Sequence, residues 1–124
     1  MGKKILIIDD NEVDLIIVKR CLSEAGYAEI ITAQDACEGI KKAKEEKPDL
    51  VISDTLLGSS NGFEVCAQIK NLYSQTNQAS PKIIIMTGFI DAVDAVKARK
   101  VGADDYCAKT SDCLPLIEAV KKLI

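Results

Sequence analysis

The sequence predicts an α/β fold built around a parallel β-sheet. Short runs rich in Ile and Val recur along the 124 residues, and longer segments with helical spacing separate them. Such runs are typical of strands buried on both faces, which occur in parallel sheets covered by helices. A chain of this length can bury one core, so we expect a single domain over residues 1–124.

Five of the apolar runs are predicted to be strands. They are Lys4 to Ile8, Glu29 to Thr32, Leu50 to Ser53, Ile83 to Met86 and Asp105 to Ala108. A membrane span needs about 20 apolar residues, so we expect none here. The first run ends in two aspartates rather than in small residues, which is not the pattern of a signal peptide.

The first predicted helix follows the first strand and ends near Gly26. Its apolar face is expected to consist of Val13, Ile17, Val18, Cys21 and Leu22. We expect this face to cover one side of the sheet.

Local sequence signals mark the other helices. Asp35, with Glu38 three residues later, is a capping box that predicts the start of a second helix. Turn residues at 58–62 precede a third helix. Asp91 is the expected N-cap of a fourth helix, and Pro115 is tolerated in the first turn of the last one.

The composition excludes several classes of function. The formal net charge is −3 and there is no Lys/Arg stripe, so we expect no direct contact with nucleic acid. The absence of histidine excludes Ser/His/Asp triads, most zinc sites and phosphohistidine chemistry on this chain. Any chemistry must therefore use carboxylates, hydroxyls and lysine.

The five cysteines form no C-x-x-C pair. They are Cys21, Cys37, Cys66, Cys107 and Cys113. All lie in segments that we predict to be helix or strand, so we interpret them as buried thiols of a cytoplasmic protein rather than as a metal site.

Polar residues follow four of the predicted strands. Asp9 and Asp10 follow the first strand, Asp54 the third, Thr87 the fourth and Lys109 the fifth. Ligands of open parallel sheets bind beyond the carboxyl ends of the strands, so these side chains are expected to meet at one rim. Each alone is also typical of a helix cap, a turn or an exposed lysine, and it is their joint occurrence that indicates a site.

Three carboxylates at one rim repel one another, and a divalent cation removes that penalty. Hard oxygen ligands favour Mg²⁺. A cation beside a carboxylate nucleophile also neutralises an incoming phosphoryl group, and Thr87 and Lys109 would contact its remaining oxygens. The residues therefore indicate phosphoryl transfer to an aspartate.

The motifs resemble those of the response-regulator receiver domain of two-component signalling, in the CheY-like superfamily. They are Ile7-Ile8-Asp9-Asp10, Ile52-Ser53-Asp54, Met86-Thr87-Gly88, Tyr106-x-x-Lys109 and Gly102-Ala103-Asp104-Asp105-Tyr106. The resemblance covers the whole chain. It implies a flavodoxin-like (βα)5 three-layer sandwich whose five-stranded parallel sheet has the order 2-1-3-4-5.

The resemblance also implies how the phosphoryl group arrives. Asp54 would accept it from a histidine kinase or from its phosphotransfer partner. Asp10, Asp54 and the main-chain carbonyl of Leu56 would bind Mg²⁺, with Asp9 contributing directly or through water. The chain would catalyse its own phosphorylation and dephosphorylation without being a turnover enzyme.

In the family that the chain resembles, Thr87 and Lys109 would hold the phosphoryl group. Thr87 would shift toward it while Tyr106 turns inward, and this switch would alter the surface formed by the fourth helix, fifth strand and fifth helix. A downstream protein would bind that surface.

Two residues depart from the family pattern. Gly58 stands four residues after Asp54, where the family often has a proline, so we expect a more mobile loop. Thr110 stands where a proline usually follows the lysine. Because a non-proline cis bond costs about 2.5–4 kcal/mol, we expect a trans Lys109–Thr110 bond and a less fixed Lys109.

Three other functions compete with this interpretation. A pseudo-receiver would keep the fold without being phosphorylated. A phosphatase of the haloacid-dehalogenase-like family would need an Asp-x-Asp pair, whereas Asp9 and Asp10 are adjacent. A nucleotide-binding enzyme would need a Gly-rich loop after the first strand, which this chain does not have.

Overall fold

Residues 2–124 are described by a computed structural model, in which helices and strands alternate along the chain. In order, the elements are β1 (Lys4–Ile8), α1 (Glu12–Glu24), β2 (Glu29–Ala33), α2 (Ala36–Glu46), β3 (Leu50–Asp54), β4 (Leu56–Leu57), β5 (Ser60–Asn61), α3 (Gly62–Gln75), β6 (Lys82–Thr87), α4 (Ala92–Lys100), β7 (Asp105–Ala108) and α5 (Leu114–Leu123). The predicted strands agree with the observed ones to within one residue at each end.

The main sheet is parallel and has the strand order β2-β1-β3-β6-β7. This confirms the expected order 2-1-3-4-5, because β4 and β5 form a separate antiparallel pair. We predicted only a turn in that segment. Asp54, the last residue of β3, lies opposite Met86 of β6, so neighbouring strands end at nearly the same level.

The helices cover both faces of the sheet, which gives the expected three-layer sandwich. In β1, Ile5 and Ile7 pack with residues of α1 and α5, whereas Leu6 and Ile8 pack with residues of α2 and α3. All four side chains are fully buried. The continuous apolar run therefore reflects a central strand with both faces covered.

The prediction for the buried face of α1 was wrong at one position. Val13 is 63% exposed, while Val18 and Leu22 are buried as expected. Leu15, which the prediction omitted, is buried instead. Since Leu15, Val18 and Leu22 are spaced by three and four residues, they form the stripe that faces the sheet, and Val13 lies outside it.

Side-chain caps fix the starts of several helices. The Asp35 carboxylate accepts the N–H of Glu38 at 2.7 Å, and the Glu38 carboxylate accepts the N–H of Gln34 at 2.8 Å. The predicted capping box is thus present, with its return bond one residue earlier than usual. Asp91 caps α4 as predicted, by accepting the N–H of Val93.

The cysteines are free, but they are not all buried. Cys66, Cys107 and Cys113 are buried, Cys21 is half-buried and Cys37 is exposed on α2. The expectation of five buried thiols was therefore wrong for Cys37 and Cys21. It was also wrong to place Cys113 in a helix or strand, because Cys113 is the residue before α5 and has a φ of 55°.

In the described part of the chain, no helix has both the length and the apolar character needed to cross a membrane.

Candidate functional site

The parallel strands deliver the predicted site residues to one rim of the sheet. Asp9 directly follows β1, Asp54 ends β3, Thr87 ends β6 and Lys109 directly follows β7. Main-chain hydrogen bonds extend past the strand ends. The N–H of Asp9 donates to Ala33 O at 3.0 Å, and the N–H of Lys109 donates to the Thr87 carbonyl. The backbone therefore fixes where these side chains lie relative to one another along the strand direction.

Three carboxylates form a tight cluster at this rim. Asp9, Asp10 and Asp54 each offer an oxygen, and these oxygens lie within 4.8 Å of one another. Asp9 is fully buried and Asp54 is 8% exposed, whereas Asp10 is exposed to solvent. Carboxylate oxygens in this arrangement suit a hard divalent cation that keeps some of its water.

The environment of Asp9 favours such a cation. Burial raises the pKa of the Asp9 carboxyl, and the charge of Asp54 acts in the same direction, against the opposing effects of Lys109 and the Asn11 N–H. Asp9 Oδ2 is buried and has no hydrogen-bond partner in the described structure. A cation would compensate the buried charge and bind this oxygen, which lies beside the Lys109 amine without a hydrogen bond.

Lys109 brings a positive charge to the same rim. Its Nζ lies 2.8 Å from Asp9 Oδ2, 2.7 Å from Asp14 Oδ2 and 3.2 Å from Asp54 Oδ2. The contacts with Asp14 and Asp54 are hydrogen bonds, while the contact with Asp9 has the distance of an ion pair without the direction of a hydrogen bond. The amine thus contacts three carboxylates at once.

These contacts determine the state of the lysine. Burial alone would lower the pKa of Lys109, but contact with Asp14 and Asp9 and the charge of Asp54 raise it above its ordinary value. Lys109 is therefore positively charged at neutral pH.

The peptide bond between Lys109 and Thr110 was expected to be trans. The Lys109–Thr110 bond is trans, which confirms the prediction. Asp14 and Asp54 hold the Lys109 amine by hydrogen bonds, and the expected effect of Thr110 on how firmly the lysine is fixed stays a prediction.

Asp14 was missed as a site residue. It lies in the first turn of α1, and in the sequence it is indistinguishable from an acid that stabilises a helix N-terminus. Its contact with Lys109 joins residues 95 positions apart. Its spacing from Asp10 gave no signal, because Asp10 precedes the N-cap Asn11 and is not part of the helix.

Thr87 is buried and its hydroxyl is already engaged. Thr87 Oγ1 donates to the carbonyl of Phe89 at 3.0 Å and accepts the N–H of Phe89 at 3.2 Å. Phe89 itself is 78% exposed. The Thr87 hydroxyl therefore stabilises the loop between β6 and α4 and does not contact Asp54.

Tyr106 and Leu56 occupy different positions around the site. Tyr106 packs against the core beneath α4, and its hydroxyl is buried without a hydrogen-bond partner in residues 2–124. Leu56 lies two residues after Asp54, in the β4–β5 pair, with an exposed side chain. The loop returns close to the end of β3, since the Gly62 N–H donates to Thr55 O at 2.9 Å.

Comparison with known proteins agrees with this geometry. A family model described as the response regulator receiver domain matches residues 5–121. The alkaline phosphatase synthesis transcriptional regulatory protein PhoP of Bacillus subtilis is 39% identical over 109 residues, which are 88% of this chain and 43% of PhoP. The response regulator protein VraR of Staphylococcus aureus is 32% identical over 123 residues, which are 98% of this chain and 56% of VraR. The chain thus spans about half the length of these relatives.

Solved structures show the same fold. The chemotaxis protein CheY4 of Vibrio cholerae superposes with a TM-score of 0.87 and 25% identity, and the match covers 100% of both chains. A CheY-like response regulator receiver domain protein of Methanospirillum hungatei has a TM-score of 0.84 and 30% identity, over 98% of this chain and 93% of that one. The chain belongs to the response regulator receiver domain family of two-component systems, in which phosphorylation on aspartate and Mg²⁺ binding are general.

Proposed function

We propose that Asp54 is the phosphoacceptor of this receiver domain. The observation that carries the proposal is the position of its carboxylate, which is nearly buried between an acidic cluster on one side and the amine of Lys109 on the other. Asp9 and Asp10 share the acidic cluster, but Asp54 alone ends the central strand β3. Asp9 also lies beside Lys109, but it is fully buried, whereas Asp54 keeps some exposure to an incoming phosphodonor.

The acidic cluster is the proposed Mg²⁺ site. Asp9, Asp10 and Asp54 would supply carboxylate oxygens, and Leu56 would supply its main-chain carbonyl. Two observations support this assignment: Asp9 Oδ2 is buried without a hydrogen bond in residues 2–124, and the donors are hard oxygens. When bound, Mg²⁺ supplies positive charge that offsets the negative charge of the transferred phosphoryl group.

The protein groups perform the rest of the transfer. A carboxylate oxygen of Asp54 attacks the phosphorus of the donor, so that a P–O bond forms as the bond to the donor breaks. Lys109 exchanges part of its contact with Asp54 for a phosphoryl oxygen. Thr87 binds another oxygen, and to do so its hydroxyl must give up the hydrogen bond that it donates to Phe89.

We propose that this exchange is the switch. Releasing the Thr87 hydroxyl frees the β6–α4 loop, and Tyr106 adjusts on β7 beside it. The surface that responds comprises α4, β7 and α5. Val93 and Val96 are exposed on α4, and Ala98 is its buried residue, so this helix is lightly anchored and able to shift. A downstream protein would bind this face.

The proposed partners follow from the family. The donor is a histidine kinase or a phosphotransfer protein. Direct contact with nucleic acid is not proposed, given the net charge of −3. The free cysteines suit a cytoplasmic location. Residues 1–124 are proposed to act as one receiver domain, which transfers a phosphoryl group to itself rather than turning over a substrate.

Treatment with acetyl phosphate and Mg²⁺ tests the acceptor. Intact-mass measurement should show one phosphoryl addition on the parent protein, and Asp54→Asn should abolish it. Chelation of Mg²⁺ should slow the labelling sharply. A parent protein without any adduct would indicate a pseudo-receiver, and rapid release of phosphate would indicate a phosphatase.

A further inference from the structure

Asp14 contacts the amine of Lys109 from outside the acidic cluster. Its contact, at 2.7 Å, is slightly shorter than that of Asp9 and clearly shorter than that of Asp54. The oxygens that cluster for a cation belong to other carboxylates. Asp14 is therefore the partner that Lys109 keeps when Asp9 and Asp54 engage a metal ion or a phosphoryl group.

The backbone of Asp14 is firmly placed. Its N–H donates to the side chain of Asn11 at 3.1 Å, and the N–H of Asn11 donates to Asp9 Oδ1 at 3.0 Å. The N-cap of α1 thus connects Asp14 to the same acidic segment that lines the cation site. A shift of α1 relative to Asp9 would have to break these bonds.

Packing alone does not hold the Lys109 side chain. A cavity of about 290 Å³ lies against it, with Ile17, Ala108 and Thr110 in its lining. Because the next residue is threonine, no proline ring restricts the backbone after the lysine. The direction of the amine therefore depends on its charged contacts.

We propose that Asp14 is a positioning residue that aims Lys109 at the phosphoryl group on Asp54. The inference rests on the proposed function of Asp54 and deepens it. In the free protein the amine contacts three carboxylates. During transfer it donates to a phosphoryl oxygen while Asp14 retains its own bond, so that Lys109 neither turns into the cavity nor moves toward solvent.

Labelling rates with acetyl phosphate test the role of the Asp14 charge. Asp14→Asn keeps the shape and removes the charge, and it should slow labelling about fivefold to tenfold. Asp14→Glu keeps the charge on a longer side chain and should recover the rate to within about threefold of the parent, since the lysine can adjust. Glu12→Gln removes an exposed acid from the same helical turn and should leave the rate within about twofold.

A second readout needs no phosphorylation. Limiting acetic anhydride acetylates accessible amines, and peptide mass spectrometry compares Lys109 with the exposed Lys121 of the same molecule. We expect Lys109 to react about threefold to tenfold faster in Asp14→Asn than in the parent, because its shortest contact loses the negative charge. In Glu12→Gln the ratio of the two lysines should not change.

The two readouts separate the possible failures. If the parent protein accepts no phosphoryl group, the proposed function fails, whatever the lysine labelling shows. If the parent is phosphorylated but Asp14→Asn labels at the parental rate, or leaves the acetylation of Lys109 unchanged, the positioning role is refuted. Equal slowing by Asp14→Asn and Asp14→Glu would refute it too, since that pattern indicates a packing effect rather than a charge contact.

Discussion

Within residues 2–124, Lys109 is the one cation that forms ion pairs in the group of carboxylates comprising Asp9, Asp10, Asp14 and Asp54. One lysine cannot compensate four acids, so the site carries excess negative charge where a negatively charged phosphoryl group is proposed to arrive. A divalent cation resolves this conflict by lowering the repulsion among the carboxylates and between them and the incoming group. The charge balance at single residues would thus link metal binding to the proposed phosphorylation of Asp54.

At Gly62 the end of β3 leaves no room for a side chain. A Cβ at this position would lie 2.2 Å from the carbonyl oxygen of Asp54, a main-chain atom that cannot move freely. We predict that Gly62→Ala lowers the free energy of unfolding by about 1–3 kcal/mol through overpacking. Urea denaturation followed by far-UV circular dichroism measures this loss.

Gly88→Ala is the matched control for Gly62→Ala. A Cβ at Gly88 meets nothing within 4 Å, so the stability should stay within about 0.5 kcal/mol of the parent. Equal stability of the Gly62 and Gly88 variants would show that the loop yields easily and does not fix the Asp54 backbone.

The meeting of most of the proposed site residues at one rim could be predicted because they end or directly follow strands. The sheet brings Asp54, Thr87 and Lys109 together through backbone pairing that strand prediction already implies. Asp14 could not be predicted in this way. Its contact depends on how far the Lys109 side chain reaches from the end of β7 to α1, and neither periodicity nor spacing encodes that reach.

At the scale of elements, one hydrogen bond joins α2 to α3. The buried Tyr73 hydroxyl donates to the carbonyl of Ala43 at 2.6 Å. Tyr73→Phe removes the donor, and we predict a loss of about 1–2 kcal/mol in the free energy of unfolding. Urea denaturation, analysed with the same m-value for both proteins, measures this loss in the free energy of unfolding.

Tyr106→Phe is the control for Tyr73→Phe, because it also removes one buried tyrosine hydroxyl. The Tyr106 hydroxyl is buried and has no hydrogen-bond partner in residues 2–124, so its removal should be neutral or slightly stabilising. If both variants lose the same stability, the Tyr73 hydroxyl contributes nothing specific to the contact between α2 and α3.

Element prediction failed where local signals were short or ambiguous. The β4–β5 pair consists of two-residue strands, which are too short to show an alternating pattern. Val13 has the apolar character of a core residue but lies beside the α1 stripe rather than in it, so its exposure depends on how the helix is rotated against the sheet. The five main strands were predictable because the sequences of buried parallel strands are continuous apolar runs.

For the molecule as a whole, metal binding should be visible as stabilisation. A cation that binds only the native state contributes RT ln(1 + [L]/Kd), or about 1.4 kcal/mol at ten times Kd. We predict that Mg²⁺ at about ten times its Kd raises the Tm of the parent by about 3–6 °C. Thermal unfolding monitored by circular dichroism measures the shift.

Asp10→Asn removes one proposed ligand from the exposed side of the cluster, and the Mg²⁺-dependent shift should largely disappear. Glu12→Gln should keep the full shift, because Glu12 lies outside the cluster. An undiminished shift in Asp10→Asn would place the cation elsewhere.

Locating the phosphoryl group on the chain tests the phosphoacceptor most directly. After labelling with acetyl phosphate and Mg²⁺, borohydride reduces an aspartyl phosphate to an alcohol, and peptide mass spectrometry identifies the reduced residue. We predict reduction at Asp54 alone, and none in Asp54→Asn. Reduction at Asp9 or Asp10, or a phosphoryl group that resists borohydride, would contradict the assignment of Asp54.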